Sequence, residues 1–318
     1  MKKNLLLICA DQWPGHLFRS KGCDEILTPT LDHLASGGVQ FTNCHSSCPV
    51  CIPARRSLMT GMYPASHGDR VYMDHLPMPE AETLAESFRN AGYQTYAVGK
   101  LHVYPQRSRI GFDDCILMEE GRLELGVIDD YAAWLGENGM AGEEFGHAMG
   151  NNTYLSRPWH LPEKAHPTVW ATSQMCRMIE RRDPTKPAFF YMSYAFPHPP
   201  LVPLQEYMDM YDLEDIAIPD KADDNWGSDE VLSFFTQETL PYSDREKKLA
   251  IRAFYAQCTL IDHQIRRIIG TLRENGLLNG SSAIMERCYL LMIWLENECF
   301  IRNLRKYLSS SLESLWRS

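Results

Sequence analysis

Apolar and polar positions along the chain follow two periods, and the period changes at glycine and proline. Residues 4–10 form a nearly continuous apolar run, the pattern of a strand buried on both faces of a parallel sheet. Asp11 and Gln12 follow at its carboxyl end, where open α/β sheets bind ligands. Thr28 and Pro29 open a predicted helix that Gly37 and Gly38 stop, and residues 39–42 alternate like a short strand. Residues 55–62 predict a helix beginning just after Cys51, Ile52 and Pro53. Residues 82–91 predict a second, ended by Gly92, and residues 93–100 a strand that delivers Lys100 to its end. This helix–glycine–strand succession is a βαβ rhythm.

The pattern weakens over residues 115–159, which read as irregular insertions. Residues 168–182 predict a helix, and residues 188–196 a strand running into Pro197, His198, Pro199 and Pro200. Residues 244–275 predict a long helix with Leu260, Ile261, Ile265, Ile268, Ile269 and Leu272 as its apolar stripe. From Tyr289 onward no clear period is visible. The fold class expected is α/β, a largely parallel mixed sheet sandwiched between helices.

Composition narrows the function. With 318 residues and 44% hydrophobic side chains the chain can bury a full core. A net charge of −10 argues against a nucleic-acid partner, so any anion must be met by a metal ion or a few placed basic residues. No stretch is apolar enough for a bilayer, so no membrane partner is expected. The first apolar run is too short for a signal peptide and meets Asp11 at once, so a cytoplasmic location is expected. The ten cysteines are irregularly spaced and read mostly as reduced thiols.

One segment carries chemistry. Cys51, Ile52, Pro53, Ala54 and Arg55, continued by Leu58, Thr60 and Gly61, resemble the signature of the type I, formylglycine-dependent sulfatases of the alkaline phosphatase superfamily. The resemblance implies that a maturation enzyme oxidises Cys51 to formylglycine. A plain thiol attacking sulfur would keep the sulfonyl group, whereas a hydrated aldehyde attacks with one hydroxyl and expels sulfate with the other.

The same resemblance implies a divalent metal on Asp11, Gln12 and residue 51, Ca²⁺ first and Mn²⁺ or Mg²⁺ as alternatives. It makes Arg55 the residue that neutralises charge there, since guanidinium is always ionised. Gly99, Lys100, Leu101 and His102 resemble the family's Gly-Lys-x-His, and Pro197, His198 and Pro199 its Pro-His-x-Pro, with His198 on the sulfate or the leaving oxygen. Gly111, Phe112, Asp113, Tyr255 and Asp262 also fit the layout. The implied activity is sulfuric ester hydrolysis, with Cys51, Arg55, Lys100, His102 and His198 catalytic and a sulfated small molecule or glycan as substrate. Hydrolysis of phosphonate or phosphate esters on the same scaffold, or a non-catalytic remnant, are the alternatives.

A rival reading uses Cys44, Cys48 and Cys51 as the Cys-x3-Cys-x2-Cys of a radical iron–sulfur enzyme, which leaves Pro53, Arg55, Gly61, Lys100 and Asp11 unexplained. His16, His33 and His75 read as surface residues, and His67 stays of interest because it follows the signature closely.

The resemblance runs from about residue 4 to 278. Asn279, Gly280 and Ser281 then replace the expected strand that ends in the second metal motif, and no Ser-Asp-His-Gly follows. Residues 1–279 are therefore expected to be an incomplete catalytic domain lacking its C-terminal subdomain. Residues 280–318 are expected to be an aberrant tail from a frameshift near residue 280, with impaired activity as the consequence.

Overall fold

The computed structural model describes residues 3–41, 44–122, 126–219, 242–278 and 288–295. The opening apolar run forms β1 (Asn4–Asp11), buried along its whole length. With β2 (Gln94–Gly99), β3 (Asp114–Leu117), β4 (Ala188–Tyr194) and β5 (Cys288–Leu295) it makes one sheet, ordered β3-β2-β4-β1-β5. Every pairing among the described strands is parallel, in line with the largely parallel sheet expected. The helices are α1 (Pro29–Gly37), α2 (Cys51–Thr60), α3 (Pro64–His67), α4 (Leu84–Asn90), α5 (Asp130–Glu137), α6 (Pro167–Arg181), α7 (Gln205–Met208) and α8 (Asp244–Glu274).

A parallel sheet needs cover on both faces, and the period of two along β1 divides its side chains between two cores. Leu6, Ile8 and Ala10 pack with Leu31 of α1, Trp170 and Met175 of α6, and Leu260, Ile261, Ile265 and Ile268 of α8. Leu5, Leu7 and Cys9 pack on the other side with Ala54 and Met59 of α2 and Ala85 and Phe88 of α4. The ring of Phe88 stacks on Phe189 of β4 with centroids 4.3 Å apart.

Polar side chains fix the helix ends. Thr83 and Glu86 form a reciprocal capping box on α4. Thr28 stands at the N-cap of α1 but its side chain makes no capping bond. Asp262, from the middle of α8, accepts Thr30 N at 3.1 Å and Leu31 N at 2.8 Å instead, stapling two distant helices through orphan N–H groups.

Three expectations are corrected. Residues 39–41 are not a strand: no neighbouring strand pairs with them, and Val39 is 81% exposed; Thr42 lies outside the described residues. The stretch read as irregular insertions contains α5, capped by Asp129 accepting Ala132 N, and most of β3. The tail read as patternless supplies β5, because Tyr289 to Leu295 is itself an unbroken apolar run. The boundary expected at 279–280 and residues 296–318 lie outside the described residues. Among the described residues no helix is long and apolar enough to cross a membrane.

Candidate active site

The sheet brings its chemistry to the carboxyl ends of its strands. α2 begins at Cys51 itself, not after Pro53 as expected. Val50 is extended, Ala54 N bonds to Val50 O at 2.9 Å, and Pro53 falls in the first turn, where no N–H is needed. Gly61, at φ 67, closes the helix. Cys51 is thus buried at the positive end of a helix dipole, with Arg55 one turn on and on the same face.

Arg55 is 1% exposed and reaches across the strand ends. Its Nη1 donates to Lys100 O at 2.6 Å, Ser193 Oγ at 2.6 Å and Tyr191 Oη at 3.3 Å. Its Nη2 lies 3.3 Å from Asp11 Oδ1, and neither Nη2 nor Nε makes a hydrogen bond. Lys100, fully buried, donates from Nζ to Asp11 Oδ2 and lies 2.9 Å from Glu120 Oε2. Burial alone would raise the Asp11 carboxyl, but Lys100 and then Arg55 overcome it and hold it down to about 2. Burial likewise works against both cations, and Asp11 reverses it, raising each above its ordinary value.

His102 sits two residues beyond Lys100, with φ 54. Burial, then Lys100 and Arg122, keep its imidazole well below the usual histidine range, hence neutral near pH 7. Its Nε2 is 3.5 Å from Glu120 Oε2. His198 follows β4; its Nδ1 is 2.8 Å from Pro199 O and 3.8 Å from Glu120 Oε1. Cys51 lies within electrostatic reach of Arg55, Lys100, Arg122 and Tyr72. Asp11, Cys51, Arg55, Lys100, His102 and His198 therefore gather at the strand ends, whereas Asp113 bonds Thr95 N, Tyr255 bonds Glu25 and Asp262 bonds the start of α1. His16, His33 and His75 are exposed. His67 is buried against α2: its Nδ1 accepts from Asp69 N at 3.3 Å, so the proton is on Nε2, 2.9 Å from Ser57 Oγ. That polarity is opposite to a base activating a serine.

Asp11 Oδ1 and Gln12 Oε1 are buried and accept no hydrogen bond. Gln12, held at φ 60, donates from Nε2 to Tyr154 Oη at 2.6 Å, which leaves its oxygen for another ligand. Two orphaned oxygens fit a hard divalent cation as part of its shell, though Ca²⁺ takes about six to eight. Among the described residues no three His, Cys, Asp or Glu side chains are grouped to hold a metal, Cys44, Cys48 and Cys51 included. Cys9, Cys23, Cys115, Cys176 and Cys258 carry unbridged thiols.

Sequence reasoning missed Glu119, Glu120, Arg122 and Tyr72. The first three follow β3 in the stretch read as irregular, where a Glu-Glu-Gly-Arg run was the available signal. Arg122 donates to Tyr72 Oη, lies over its ring, and stands 3.4 Å from Glu120 Oε2. Glu119, 1% exposed, accepts Leu101 N at 2.8 Å and His102 N at 3.1 Å. Burial outweighs these bonds and pushes its carboxyl up to about 7.

A carboxyl neutral in the fold but ionised when unfolded stabilises fully below its ordinary value and loses that contribution as pH rises through the folded one. Wild type is therefore expected to lose about 3 kcal/mol relative to Glu119→Gln between pH 4.5 and 7. Urea unfolding of both across that range checks it; a difference that stays flat refutes it.

The comparisons with known proteins agree with this geometry. A protein labelled "Arylsulfatase" from Clostridium perfringens (strain 13 / Type A) is 36% identical over 302 residues, covering 88% of this chain and 61% of its own length. The "Multifunctional alkaline phosphatase superfamily protein PehA" of Trinickia caryophylli is 29% identical over 244 residues, covering 70% of this chain and 47% of its own length. The crystal structure of a phosphonate monoester hydrolase of Agrobacterium radiobacter superposes with a TM-score of 0.69 at 20% identity, over 94% of this chain and 64% of that one. The chain thus spans about half to three fifths of the length of these curated relatives. The family model described as "Sulfatase" matches residues 3–282, and with the signature helix and its surrounding cations in place, the chain belongs to the sulfatase family.

Proposed function

We propose that the chain hydrolyses sulfate esters, with residue 51 as nucleophile after oxidation of its thiol to formylglycine. The observation that carries this reading is the gathering of Arg55 and Lys100 with Cys51, with His102 and His198 joined to Lys100 through Glu120. Hydrated formylglycine would supply an oxygen nucleophile and a carbonyl collapse that releases sulfate. A divalent cation, Ca²⁺ by the hardness of its donors, would be held by Asp11 and Gln12 and draw charge from the sulfate oxygens.

The chain's own side chains define the remaining work. Arg55 and Lys100, ionised at any working pH, form a fixed positive wall against the tetrahedral anion, and being buried they act at low dielectric. His102, neutral, offers a hydrogen bond rather than a charge. His198, half-buried and 3.8 Å from Glu120, would hand a proton to the leaving oxygen. The substrate is a sulfated small molecule or glycan, and a formylglycine-generating enzyme is the maturation partner.

A tetrahedral anion pocket of this kind also suits phosphonate monoesters, the substrates named for the superposed hydrolase, so the two must be compared. The chain co-expressed with a maturation enzyme and supplied with Ca²⁺ is expected to turn over an aryl sulfate faster than an aryl phosphonate. Mass spectrometry of the residue 51 peptide is expected to show conversion of thiol to aldehyde. An unmodified thiol, or turnover retained in Cys51→Ala, would exclude this mechanism.

A further inference from the structure

Glu120 lies outside every motif of the signature, yet four basic side chains stand within 4 Å of its carboxylate. Its Oε2 is 2.9 Å from Lys100 Nζ, 3.4 Å from Arg122 Nη2 and 3.5 Å from His102 Nε2; its Oε1 is 3.8 Å from His198 Nδ1. Four basic side chains from the ends of β2, β3 and β4 thus meet on one buried carboxylate. The backbone is bent to put it there. Glu120 adopts φ 58, uncommon for a residue with a side chain, and Gly121 follows at φ 63 in a place where a Cβ would meet Phe145 Cε2 at 2.3 Å.

The charge balance gives this carboxylate a consequence. Arg55, Lys100 and Arg122 bring three positive charges, and Asp11 and Glu120 return two. Asp11 is paired with Arg55 and Lys100, so among the described residues Glu120 is the carboxylate that offsets Arg122, and it shares Lys100. A pocket of bare cations would bind the released dianion as tightly as the ester, and the product would then limit turnover.

We propose that Glu120 is a positioning residue that holds Lys100, Arg122, His102 and His198 in one arrangement and lowers the positive charge of the pocket, so that sulfate leaves. The proposal rests on the anion-site reading given above. Lys100, His102 and His198 outweigh the effect of burial and keep Glu120 well below the usual carboxylate range, so it acts as a standing charge and not as a proton donor. Removing one charge about 12 Å from a bound dianion, at an effective dielectric of about 40, changes affinity by about tenfold, and at shorter range by more.

The test needs no turnover. Sodium sulfate is titrated calorimetrically into the full chain and into Glu120→Gln, Glu120→Ala and Glu120→Asp at fixed ionic strength. Both neutral variants are expected to bind sulfate about tenfold more tightly than wild type, and Glu120→Asp, which keeps the charge, to return to within about threefold of it. Sulfate binding by wild type with no gain in the neutral variants overturns the proposal alone. No binding in any of the chains overturns the anion-site reading along with it. If neither neutral variant folds, Glu120 is a folding residue and the proposal fails.

Discussion

Arg55→Met is expected to cost about 3 kcal/mol of folding stability and to abolish sulfate binding, because the guanidinium is both a structural hub and the wall of the pocket. The side chain is buried and its Nη1 serves three acceptors on β2 and β4. Methionine keeps much of the stem volume but leaves Lys100 O and Ser193 Oγ without their charged donor and Asp11 with one cation in place of two. Breaking a buried ion pair costs about 3–5 kcal/mol when the surviving charge is stranded. Asp11 retains Lys100, which sets the expectation at the low end. Arg55→Lys keeps the charge and loses the fork, so it is expected to recover part of the stability and little of the sulfate affinity. Urea unfolding and sulfate calorimetry separate the two losses. A deficit under about 1 kcal/mol would mean that the network is not holding the strand ends together.

What the sequence disclosed and what it hid follow from range. β1, β2, β4, α6 and α8 were legible because each carries its own period over a sufficient length, and all are buried on the faces that period marks. The cysteine signature was legible because it is continuous in sequence, carried by α2 and the Gly61 that closes it. The residues between these motifs were not. Glu120 has no local pattern; its significance lies in contacts to Lys100, Arg122, His102 and His198, which only the parallel sheet brings to one edge. Asp262 was noticed without a role, since capping α1 from α8 spans more than two hundred residues. β3, four residues long, and β5, mistaken for patternless sequence, show the converse error. A short run at the edge of a sheet is too brief to announce its period, and an apolar run within an unfamiliar tail was judged by its surroundings.

Gly99→Ala is expected to be the most damaging single methyl in the chain, removing more than about 4 kcal/mol and leaving little folded protein. Two costs coincide there. Gly99 stands at φ 101, where a side chain is strained, and an added Cβ would lie 1.9 Å from Ser193 O and 2.9 Å from Ser193 C. Those are backbone atoms of β4 and cannot rotate aside, so β2 and β4 must part at their carboxyl ends. That separation would break the 3.0 Å bond from Lys100 N to Ser193 O and carry Lys100 away from Asp11 and Glu120. Gly92→Ala is the control: its φ of 85 is equally unsuited to alanine, but no atom lies within 4 Å of the new methyl. It is expected to lose only about 1–2 kcal/mol. Soluble yield, urea unfolding and near-ultraviolet dichroism of the two variants compare backbone strain with backbone collision. Equal losses would show that β2 and β4 absorb the methyl, and that Lys100 does not depend on glycine for its place.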